Sequence, residues 1–326
     1  MNEIDKAYAA GAMEGDGSFY ITRTTYKGCT RFVAGAGIGK SSKELAGFFV
    51  SIFSGNVNTR NDQHKWSVSC TPRVLPFLES IVPYLVMKKE RAVFLLDWLK
   101  NGMPEKENAY EKMKVLNEKV EKKLVPFKCE RSIDNDPLKW AYIAGLMDTD
   151  GSFLINKRFG HNGMKSPSYV TRVSYGEKDT RTPSFIKKTF TFGCINHKDN
   201  DKCVNGRFVW ELVVKEEIID FINRVLPYLM VKKQNAEILL NFCLNYKPMK
   251  KGHRFGIPKE ELEFREKCYQ DIQKHQRRKG TRDLYKSSLM DLNAPPDSAE
   301  GNKAEAAQAG TVNVVSERTS KDDSVL

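Results

Sequence analysis

The feature that most constrains the fold of this chain is an internal duplication. Residues 8–19 read YAAGAMEGDGSF and residues 142–153 read YIAGLMDTDGSF, with eight of the twelve positions identical. A second match follows downstream, where PYLVMKKERAVFLL at 83–96 resembles PYLMVKKQNAEILL at 227–240. Repeated segments in the same order are the signature of a duplicated structural unit. The sequence therefore predicts two related units within one chain of 326 residues.

Composition and helix-start signals divide the chain into four segments. The two predicted units cover residues 1–124 and 137–280, with a linker at 125–136 between them. The second unit opens with an Asp-Pro pair, which starts a helix because aspartate caps the N-terminus and proline suits the first helical position. Residues 281–326, rich in Ala, Ser, Asn, Asp and Gly, have the composition of a disordered tail.

Hydrophobic periodicity predicts the same order of elements in both units. A helix ends near Gly17 and its counterpart ends near Gly151, and each is followed by alternating apolar and polar residues, as in a half-buried strand. Phe19 and Ile21 share the apolar face of the first such strand. The sequence thus indicates an α+β fold. Further strands are expected at 30–38, 57–70, 168–175 and 204–214, and further helices at 42–53, 73–81, 84–100, 105–121, 182–190, 215–225, 228–244 and 258–278.

The charge of the chain points to a class of partner. Lys and Arg number 53 against 41 Asp and Glu, a net charge of +12. Residues 281–326 hold five basic and eight acidic side chains, so residues 1–280 carry 48 and 33, a net charge of +15. A region this basic favours a polyanionic partner such as nucleic acid. A merely soluble basic protein has the same composition, so charge alone leaves both interpretations open.

Other sequence features exclude several classes of protein. The seven cysteines are scattered and contain no C-x-x-C, which argues against a disulfide framework and against a structural zinc site. No apolar run reaches about 18 residues, so no transmembrane helix and no membrane partner are expected. The N-terminal segment lacks the basic region that opens a secretory signal. We therefore expect an intracellular protein that is not secreted.

Each motif helix is predicted to end in carboxylates. Glu14 and Asp16 stand at the end of the first helix, and Asp148 and Asp150 at the end of the second. Acidic groups there have the wrong sign for the helix dipole unless a cation compensates them. Small residues along one stripe of both helices would let the helices pack closely and bring Asp16 and Asp150 into a shared site for a hard divalent cation. The alternative is that each Asp-Gly pair only ends its helix with a turn.

The two motif segments resemble the LAGLIDADG motif that names a group of homing endonucleases. IAGLMDTDG at 143–151 is close to it, whereas AAGAMEGDG at 9–17 departs from it, with Glu14 in place of the first aspartate. The resemblance extends over about residues 1–280 once both repeats are counted. It implies two pseudo-symmetric αββαββα units in a monomer. The units pack through their motif helices and form a β-saddle that straddles DNA.

The resemblance also implies a set of site residues. Asp16 and Asp150 fall on the metal-binding aspartate of the motif, and the residues before them, Gly15 and Thr149, are further candidate metal ligands through their carbonyl oxygens. The remaining catalytic candidates are basic or polar residues that follow the motif. They are Lys88 and Lys232, which the family places near the scissile phosphates, together with Glu177, Lys43 and Arg181.

Two questions about these residues stay open in the sequence. Lys88 and Lys232 each belong to a Lys-Lys pair, so an ordinary solvated surface position is the alternative for both. Gly39 stands where the resemblance expects a polar residue matching Glu177, which leaves open whether the two active sites are equally competent.

The DNA-binding surface is expected on the strand face opposite Phe19 and Ile21. A two-stranded ribbon fits the major groove, where arginine reads guanine and asparagine reads adenine. A shift of one residue in strand register would move every candidate to the other face. The candidates are Tyr20, Thr22, Thr24, Arg60, Lys65, Asn156, Arg158, Lys198 and Arg207.

The sequence thus predicts a homing endonuclease that hydrolyses phosphodiester bonds on both strands of a long pseudo-palindromic duplex. The expected cofactor is Mg²⁺, with Mn²⁺ or Ca²⁺ as other ions the sites would take. Two alternatives keep the same fold: a maturase that binds its own intron RNA, and a catalytically inactive DNA-binding protein. Because Asp16 and Asp150 are both present, cleavage is the favoured interpretation.

Overall fold

The computed structural model describes residues 2–61, 63–121, 123, 133–159, 166–200, 203–247 and 257–276. Most of the predicted linker and the whole of the predicted tail at 281–326 lie outside these ranges. Within the described residues, no helix is long and apolar enough to cross a membrane.

The first repeat begins with the motif helix α1 (Glu3–Gly15), capped by Asn2, whose side-chain oxygen accepts a hydrogen bond from the Asp5 backbone N–H at 2.7 Å. The elements that follow alternate between strand pairs and helices. They are β1 (Gly17–Tyr26), β2 (Cys29–Ser41), α2 (Lys43–Phe53), β3 (Asn56–Arg60), β4 (Gln63–Ser69), α3 (Thr71–Ile81), α4 (Lys89–Lys100) and α5 (Lys106–Glu118).

The second repeat begins with its own motif helix, α6 (Pro137–Thr149). The Asp136 side chain accepts a hydrogen bond from the Leu138 N–H at 2.9 Å, so the predicted Asp-Pro helix start is confirmed. The same order of elements then recurs. They are β5 (Gly151–Arg158), β6 (Ser168–Glu177), α7 (Arg181–Phe190), β7 (Cys194–Asn200), β8 (Cys203–Leu212), α8 (Lys215–Val225), α9 (Lys233–Asn245) and α10 (Lys259–Gln276).

Each repeat builds an antiparallel sheet with the same topology. The strand orders are β1-β2-β4-β3 and β5-β6-β8-β7, and in both the motif helix leads directly into an edge strand. The predicted α+β fold with two αββαββα units is confirmed. Two strand predictions need correction, because the segment predicted as one strand at 57–70 is the hairpin of β3 and β4, and β7 was not predicted. The sequence of β7, CINHKDN, is polar enough to hide its alternation.

Two helix predictions are also wrong at their starts. The helices expected at 84–100 and 228–244 begin only at Lys89 and Lys233. The residues just before them are not α-helical, because their backbone N–H groups are bound by carboxylates of the motif helices. In both repeats, free-standing backbone N–H groups, and not a helical turn, therefore lie against the acidic residue of the motif helix.

The tryptophan that recurs in the repeat anchors the core of each half. Trp66 packs against Phe77 with ring centroids 5.2 Å apart, and Trp210 packs against Phe221 at 5.0 Å. Each indole N–H donates to a backbone carbonyl just after the preceding helix, at 2.6 and 3.1 Å. Burying an indole requires such an acceptor for its N–H. The two tryptophans that match in sequence therefore pack in the same way in both repeats.

Candidate functional site

The two motif helices pack against each other through glycine. A Cβ atom added to Gly11 would lie 2.0 Å from the carbonyl oxygen of Tyr142, and one added to Gly145 would lie 2.2 Å from that of Tyr8. Both distances are far inside van der Waals contact, so only glycine allows this approach of the two backbones. The close packing expected from the small residues of α1 and α6 is present.

Each motif helix directs a tyrosine at the first acidic residue of the other motif. The hydroxyl of Tyr8 donates to Asp148 Oδ2 at 2.7 Å. Burial and the charge of Asp148 raise the pKa of Tyr8, and burial and the charge of Glu14 raise that of Tyr142. The hydrogen bond from Tyr8 to Asp148 fixes the position of one motif helix along the other. The identity of Tyr8 and Tyr142 in the repeat was the only sequence signal for them.

The first acidic residue of each motif caps a later helix of its own repeat. The Glu14 carboxylate accepts hydrogen bonds from three successive backbone N–H groups, those of residues 86–88, at 2.5–2.9 Å. The Asp148 carboxylate accepts from the N–H groups of residues 230–232 at 2.8–3.1 Å. These groups precede α4 and α9, where an anion is favourable. Burial raises the pKa of Glu14, although Lys88 and the three N–H groups act against the rise.

The lysine of each downstream block caps the motif helix in return. Lys88 Nζ donates to the carbonyl oxygens of residues 13, 15 and 17, at 3.0, 2.9 and 2.7 Å. Lys232 Nζ donates to those of residues 147, 149 and 151, at 2.9, 2.7 and 2.7 Å. Each ammonium thus meets a helix C-terminus, where a cation is favourable. Lys88 is only 7% exposed, so the alternative of a solvated surface pair is wrong for it.

The acid and the lysine therefore form a reciprocal brace in each repeat. A carboxylate of the motif helix accepts hydrogen bonds from the backbone at the start of α4 or α9. The lysine at that start in turn donates from its ammonium group to the carbonyls at the end of the motif helix. This arrangement shows that a lysine, and not a metal ion, compensates the negative end of each motif helix. Only the second acid of each motif is outside the brace.

That second acid is the C-cap residue of its motif helix, Asp16 for α1 and Asp150 for α6. A Cβ atom added to Gly15 would lie 2.9 Å from Asp150 Oδ2. The carboxylate of Asp150 thus reaches across to the end of α1, where Lys88 is bound to the Gly15 carbonyl at 2.9 Å. Close packing of the motif helices brings an acid of one repeat to a lysine and a carbonyl of the other.

Glu177 belongs to the same group of residues. It ends β6, and the charge of Lys88 interacts with Glu177 and with Asp150. Burial raises the pKa of Glu177, and the negative charge of Asp150 adds to the rise. Burial also lowers the pKa of Lys88, while the neighbouring carboxylates act against that change. The predicted residues Asp150, Glu177 and Lys88 are therefore brought together, with two from one repeat and one from the other.

The predicted basic pair occupies two different environments. Arg181 donates from Nε to Asp179 Oδ1 at 3.0 Å and from Nη2 to Asp179 Oδ2 at 2.7 Å. Asp179 is 2% exposed and also accepts from the Glu121 N–H at 2.9 Å. Lys43 is exposed at the start of α2. Asp179 was not singled out from the sequence, because its role depends on a contact with residue 121 in the other repeat.

Strand pairing revises the match of Gly39 with Glu177. The two motif glycines at the starts of β1 and β5 pair with Ile38 and Tyr175. Counted along the strands from these positions, the counterpart of Glu177 is Lys40; counted back from the following helices, it is Gly39. A β-bulge in this part of β2 accounts for the difference. By either count, the first repeat has no carboxylate at the position of Glu177.

The polar faces of the two sheets carry all nine predicted DNA contacts. In β1, Phe19 and Ile21 are buried and the alternate residues point to the opposite face. In the second sheet, Trp210 of β8 is likewise buried on the apolar face. Directly paired residues of neighbouring strands point to the same face, so the register extends this polar face across each sheet. The nine residues are Tyr20, Thr22, Thr24, Arg60 and Lys65 in one sheet, and Asn156, Arg158, Lys198 and Arg207 in the other.

This architecture is similar to that of several solved protein structures. A scan against models of protein families gave no match, and a search of curated protein sequences gave none. Among solved structures, the meganuclease I-SmaMI bound to uncleavable DNA matches with a TM-score of 0.62 at 14% identity, over 84% of this chain and 100% of that chain. The I-LtrWI LAGLIDADG homing endonuclease bound to target DNA matches with a TM-score of 0.62 at 16% identity, over 82% and 97%.

The chain has the LAGLIDADG homing endonuclease fold. A third structure with this fold is I-SmaMI bound to an uncleaved DNA target in the presence of calcium ions, with a TM-score of 0.62 at 15% identity over 84% of this chain and 99% of that chain. The resemblance drawn from two nine-residue motifs is thus confirmed at the level of the fold.

The two halves of this LAGLIDADG fold carry different side chains on their polar faces. In the first sheet the Tyr20 ring covers Gly35, where an added Cβ would lie 2.4 Å from the ring. At the corresponding pair of the second sheet, Leu154 faces Arg172. Arg172 was not among the predicted contacts, and its Nη1 lies 3.3 Å from a carboxylate oxygen of Glu211. The two faces therefore present different chemistry to a ligand.

Proposed function

We propose that the protein is a site-specific homing endonuclease that cuts both strands of a long, imperfectly palindromic DNA duplex with the help of a divalent metal. The observation that carries the proposal is the reach of the Asp150 carboxylate to the end of α1, beside the Gly15 carbonyl and Lys88. Oxygen ligands suit a hard divalent metal that assists phosphodiester hydrolysis, and a nearby ammonium offsets negative charge that develops on the phosphate.

The donor set suits magnesium. Within the described ranges, no three side chains of His, Cys, Asp or Glu form a ready metal-binding cluster. Mg²⁺ does not need one, because it usually binds through one or two carboxylates and keeps waters and substrate phosphates as its other ligands. Asp16 and Asp150 would hold it, with the carbonyls of Gly15 and Thr149. When bound, the metal would make a hydroxide nucleophile available near neutral pH and stabilise the leaving 3′ oxygen.

The other site residues would act on charge and position. Lys88 and Lys232 hold the Gly15 and Thr149 carbonyls in place, and their ammonium groups offset negative charge that develops on the phosphate. A carbonyl oxygen has two lone pairs, so each can accept from its lysine and still serve as a ligand. The brace from Glu14 and Asp148 keeps both lysines at this position.

The nucleic-acid partner would lie across the polar faces of the two sheets. These faces carry arginine, lysine, asparagine and threonine, which contact base edges and phosphates. Two related sheets in one chain would read two half-sites, so a monomer suffices. Because the faces differ, the half-sites should differ too.

The proposal is tested by incubating the purified protein with Mg²⁺ and a randomised library of duplex targets. We expect one family of related sites to be cut on both strands, and EDTA to stop the cutting. If the protein selects a DNA site but cuts neither strand with Mg²⁺ or Mn²⁺, it is an inactive DNA-binding protein. If it instead binds structured RNA in preference to every duplex, the maturase alternative is correct.

Replacing Arg158 by alanine should relax base preference in one half-site only. Arg158 ends β5 on the polar face of the second sheet, and its counterpart in the first is Thr24. Loss of one arginine–base contact costs about 1–3 kcal/mol of discrimination at that base. Binding-site selection on the wild type, Arg158→Ala and the matched variant Thr24→Ala measures this. A preference change spread equally over both half-sites would contradict the assignment of one sheet to each half.

A further inference from the structure

The two proposed active sites contain different side chains. The site at Asp150 has Glu177 near it, with Arg181 four residues further on at the start of α7, whereas the corresponding positions of the first repeat have Gly39 or Lys40 and then Lys43. A third difference lies on α4, where Arg91 corresponds to the neutral Asn235 of α9. Electrostatic interactions connect Arg91 to both Glu177 and Arg181.

From these differences we infer that the two DNA strands are cut in a fixed order, with the site at Asp150 cutting first, and that Asp179 sets this order by positioning Arg181. The inference rests on the proposed function, because it concerns the rates of the two cuts that the function requires. It adds a positioning residue that the motifs do not contain.

Arg181 is held in one orientation. Two parallel hydrogen bonds join its guanidinium to the Asp179 carboxylate, at 3.0 and 2.7 Å. Asp179 is in turn fixed by the N–H groups of Glu121 and Arg181, both at 2.9 Å. Its side chain is buried, so it does not exchange Arg181 for water. A guanidinium bound in this way keeps its remaining donors pointed in a constant direction.

Arg91 is fixed as well. Its Nε donates to the Leu116 carbonyl at 2.9 Å and its Nη2 to the Lys119 carbonyl at 3.1 Å. Both acceptors lie at the end of α5, which leads directly to the residue bound by Asp179. The end of the first repeat therefore braces the basic side of the site at Asp150.

The other site lacks this support. Lys43 is exposed, and the residue two before it, which corresponds to Asp179, is the buried Ser41, whose hydroxyl donates to the His64 carbonyl at 2.7 Å. A neutral serine whose hydroxyl is bound to a backbone carbonyl cannot orient a lysine as a buried aspartate orients an arginine. The lysine must therefore lose more side-chain freedom to meet a phosphate.

Fixed charges stabilise a transition state more than mobile ones, because they need no reorganisation when charge develops. Loss of one preorganised donor costs about 10²–10³ in rate in well-studied enzymes. Half-exposed groups contribute less than that, so we expect the first strand to be cut about tenfold faster than the second.

The strand order is measured on a supercoiled plasmid that carries one target, with strand-specific labels at the two cut positions. We expect a nicked intermediate to accumulate and always to be cut in the same strand. Equal rates for both strands overturn the inference and leave the proposed function intact. Absence of any cut overturns the proposed function itself, so the two failures are distinguishable.

The role of Asp179 is tested with Asp179→Asn and Asp179→Glu, using Glu263→Gln on the exposed surface of α10 as the matched carboxylate-to-amide control. Asp179→Asn should slow the faster strand about tenfold and change the slower strand less than about twofold. Asp179→Glu should recover part of the loss. Melting temperatures are measured alongside, since a purely structural role would lower stability and slow both strands equally, which would refute the assignment.

A converse experiment transfers the arrangement. Ser41→Asp combined with Lys43→Arg leaves the Ser42 cap of α2 in place and puts an aspartate two residues before an arginine at the slower site, as Asp179 stands before Arg181. We expect the slower strand to be cut several times faster in this variant and the nicked intermediate to diminish. If the double variant binds DNA and melts as the wild type does but leaves the strand ratio unchanged, orientation of the basic residue does not set the order.

Discussion

Asparagine in place of Asp16 or Asp150 should reduce double-strand cutting by about a thousandfold or more while DNA affinity changes only a few-fold, since in the proposed mechanism the carboxylate holds the metal and does not contact the base edges. The substitution preserves shape and removes one negative charge. Each residue is the C-cap of a motif helix, where a negative charge opposes the helix dipole. Its removal should therefore leave stability unchanged or raise it by about 0.3–1 kcal/mol.

This combination of effects separates chemistry from folding. Cleavage is followed on a plasmid target, affinity by gel shift in Ca²⁺, and stability by denaturant titration of the same preparations. The matched control is Asp148→Asn, two residues before Asp150. It replaces by an amide the carboxylate that accepts hydrogen bonds from three backbone N–H groups and from the Tyr8 hydroxyl. It should therefore destabilise the protein by about 2–3 kcal/mol. Wild-type cutting by the variant with both Asp16→Asn and Asp150→Asn would rule out the proposed site.

The sequence predicted those parts of the fold that depend on local pattern. Alternation placed Phe19 and Ile21 in the core, and therefore Tyr20 and Thr22 on the polar face, as the structure has them. The Asp-Pro pair predicted the start of α6 for the same reason, because a cap is made by neighbours in the chain. The duplication then extended each local prediction to a second place in the chain.

The contacts between each motif helix and its downstream block, which the sequence did not predict, join distant segments. By helix pattern alone the two acids of a motif look equivalent, yet it is Glu14 that accepts hydrogen bonds from the N–H groups before α4. Nothing in a local pattern shows which of the two carboxylates will cap a helix some 70 residues away. The alternative of a solvated lysine pair is wrong for Lys88 for the same reason, since its three acceptors belong to another part of the chain.

The asymmetry of the two sites was only partly visible in the sequence. The absence of a carboxylate at Gly39 was apparent, but its alternative counterpart, Lys40, emerged only from strand pairing across a β-bulge. The Asp179–Arg181 pair has no trace in the motifs and depends on the segment that follows α5. The differences between the two sites therefore become visible in the packing of the structure, whereas the duplication of the repeats is visible in the sequence.

Alanine at Gly11 should destabilise the folded protein more than any other single methyl group added to the motif helices. Its Cβ would lie 2.0 Å from the Tyr142 carbonyl oxygen and 3.2 Å from the Leu146 nitrogen, both backbone atoms that cannot rotate away. The two motif helices would have to separate, and we expect a loss of about 3 kcal/mol or more in the free energy of unfolding. Cleavage should fall with it, because separation withdraws Asp150 from the end of α1.

The matched control is Gly47→Ala. Gly47 lies inside α2, and an added Cβ there meets no atom within 4 Å. Because alanine is favoured over glycine in a helix interior, this variant should gain about 1 kcal/mol. Denaturant titration of both variants measures the difference, which should be about 4 kcal/mol with opposite signs for the two glycines. If Gly11→Ala is as stable as the wild type and cuts DNA at the same rate, the two motif helices do not pack backbone to backbone, and an active site shared between the repeats is not possible.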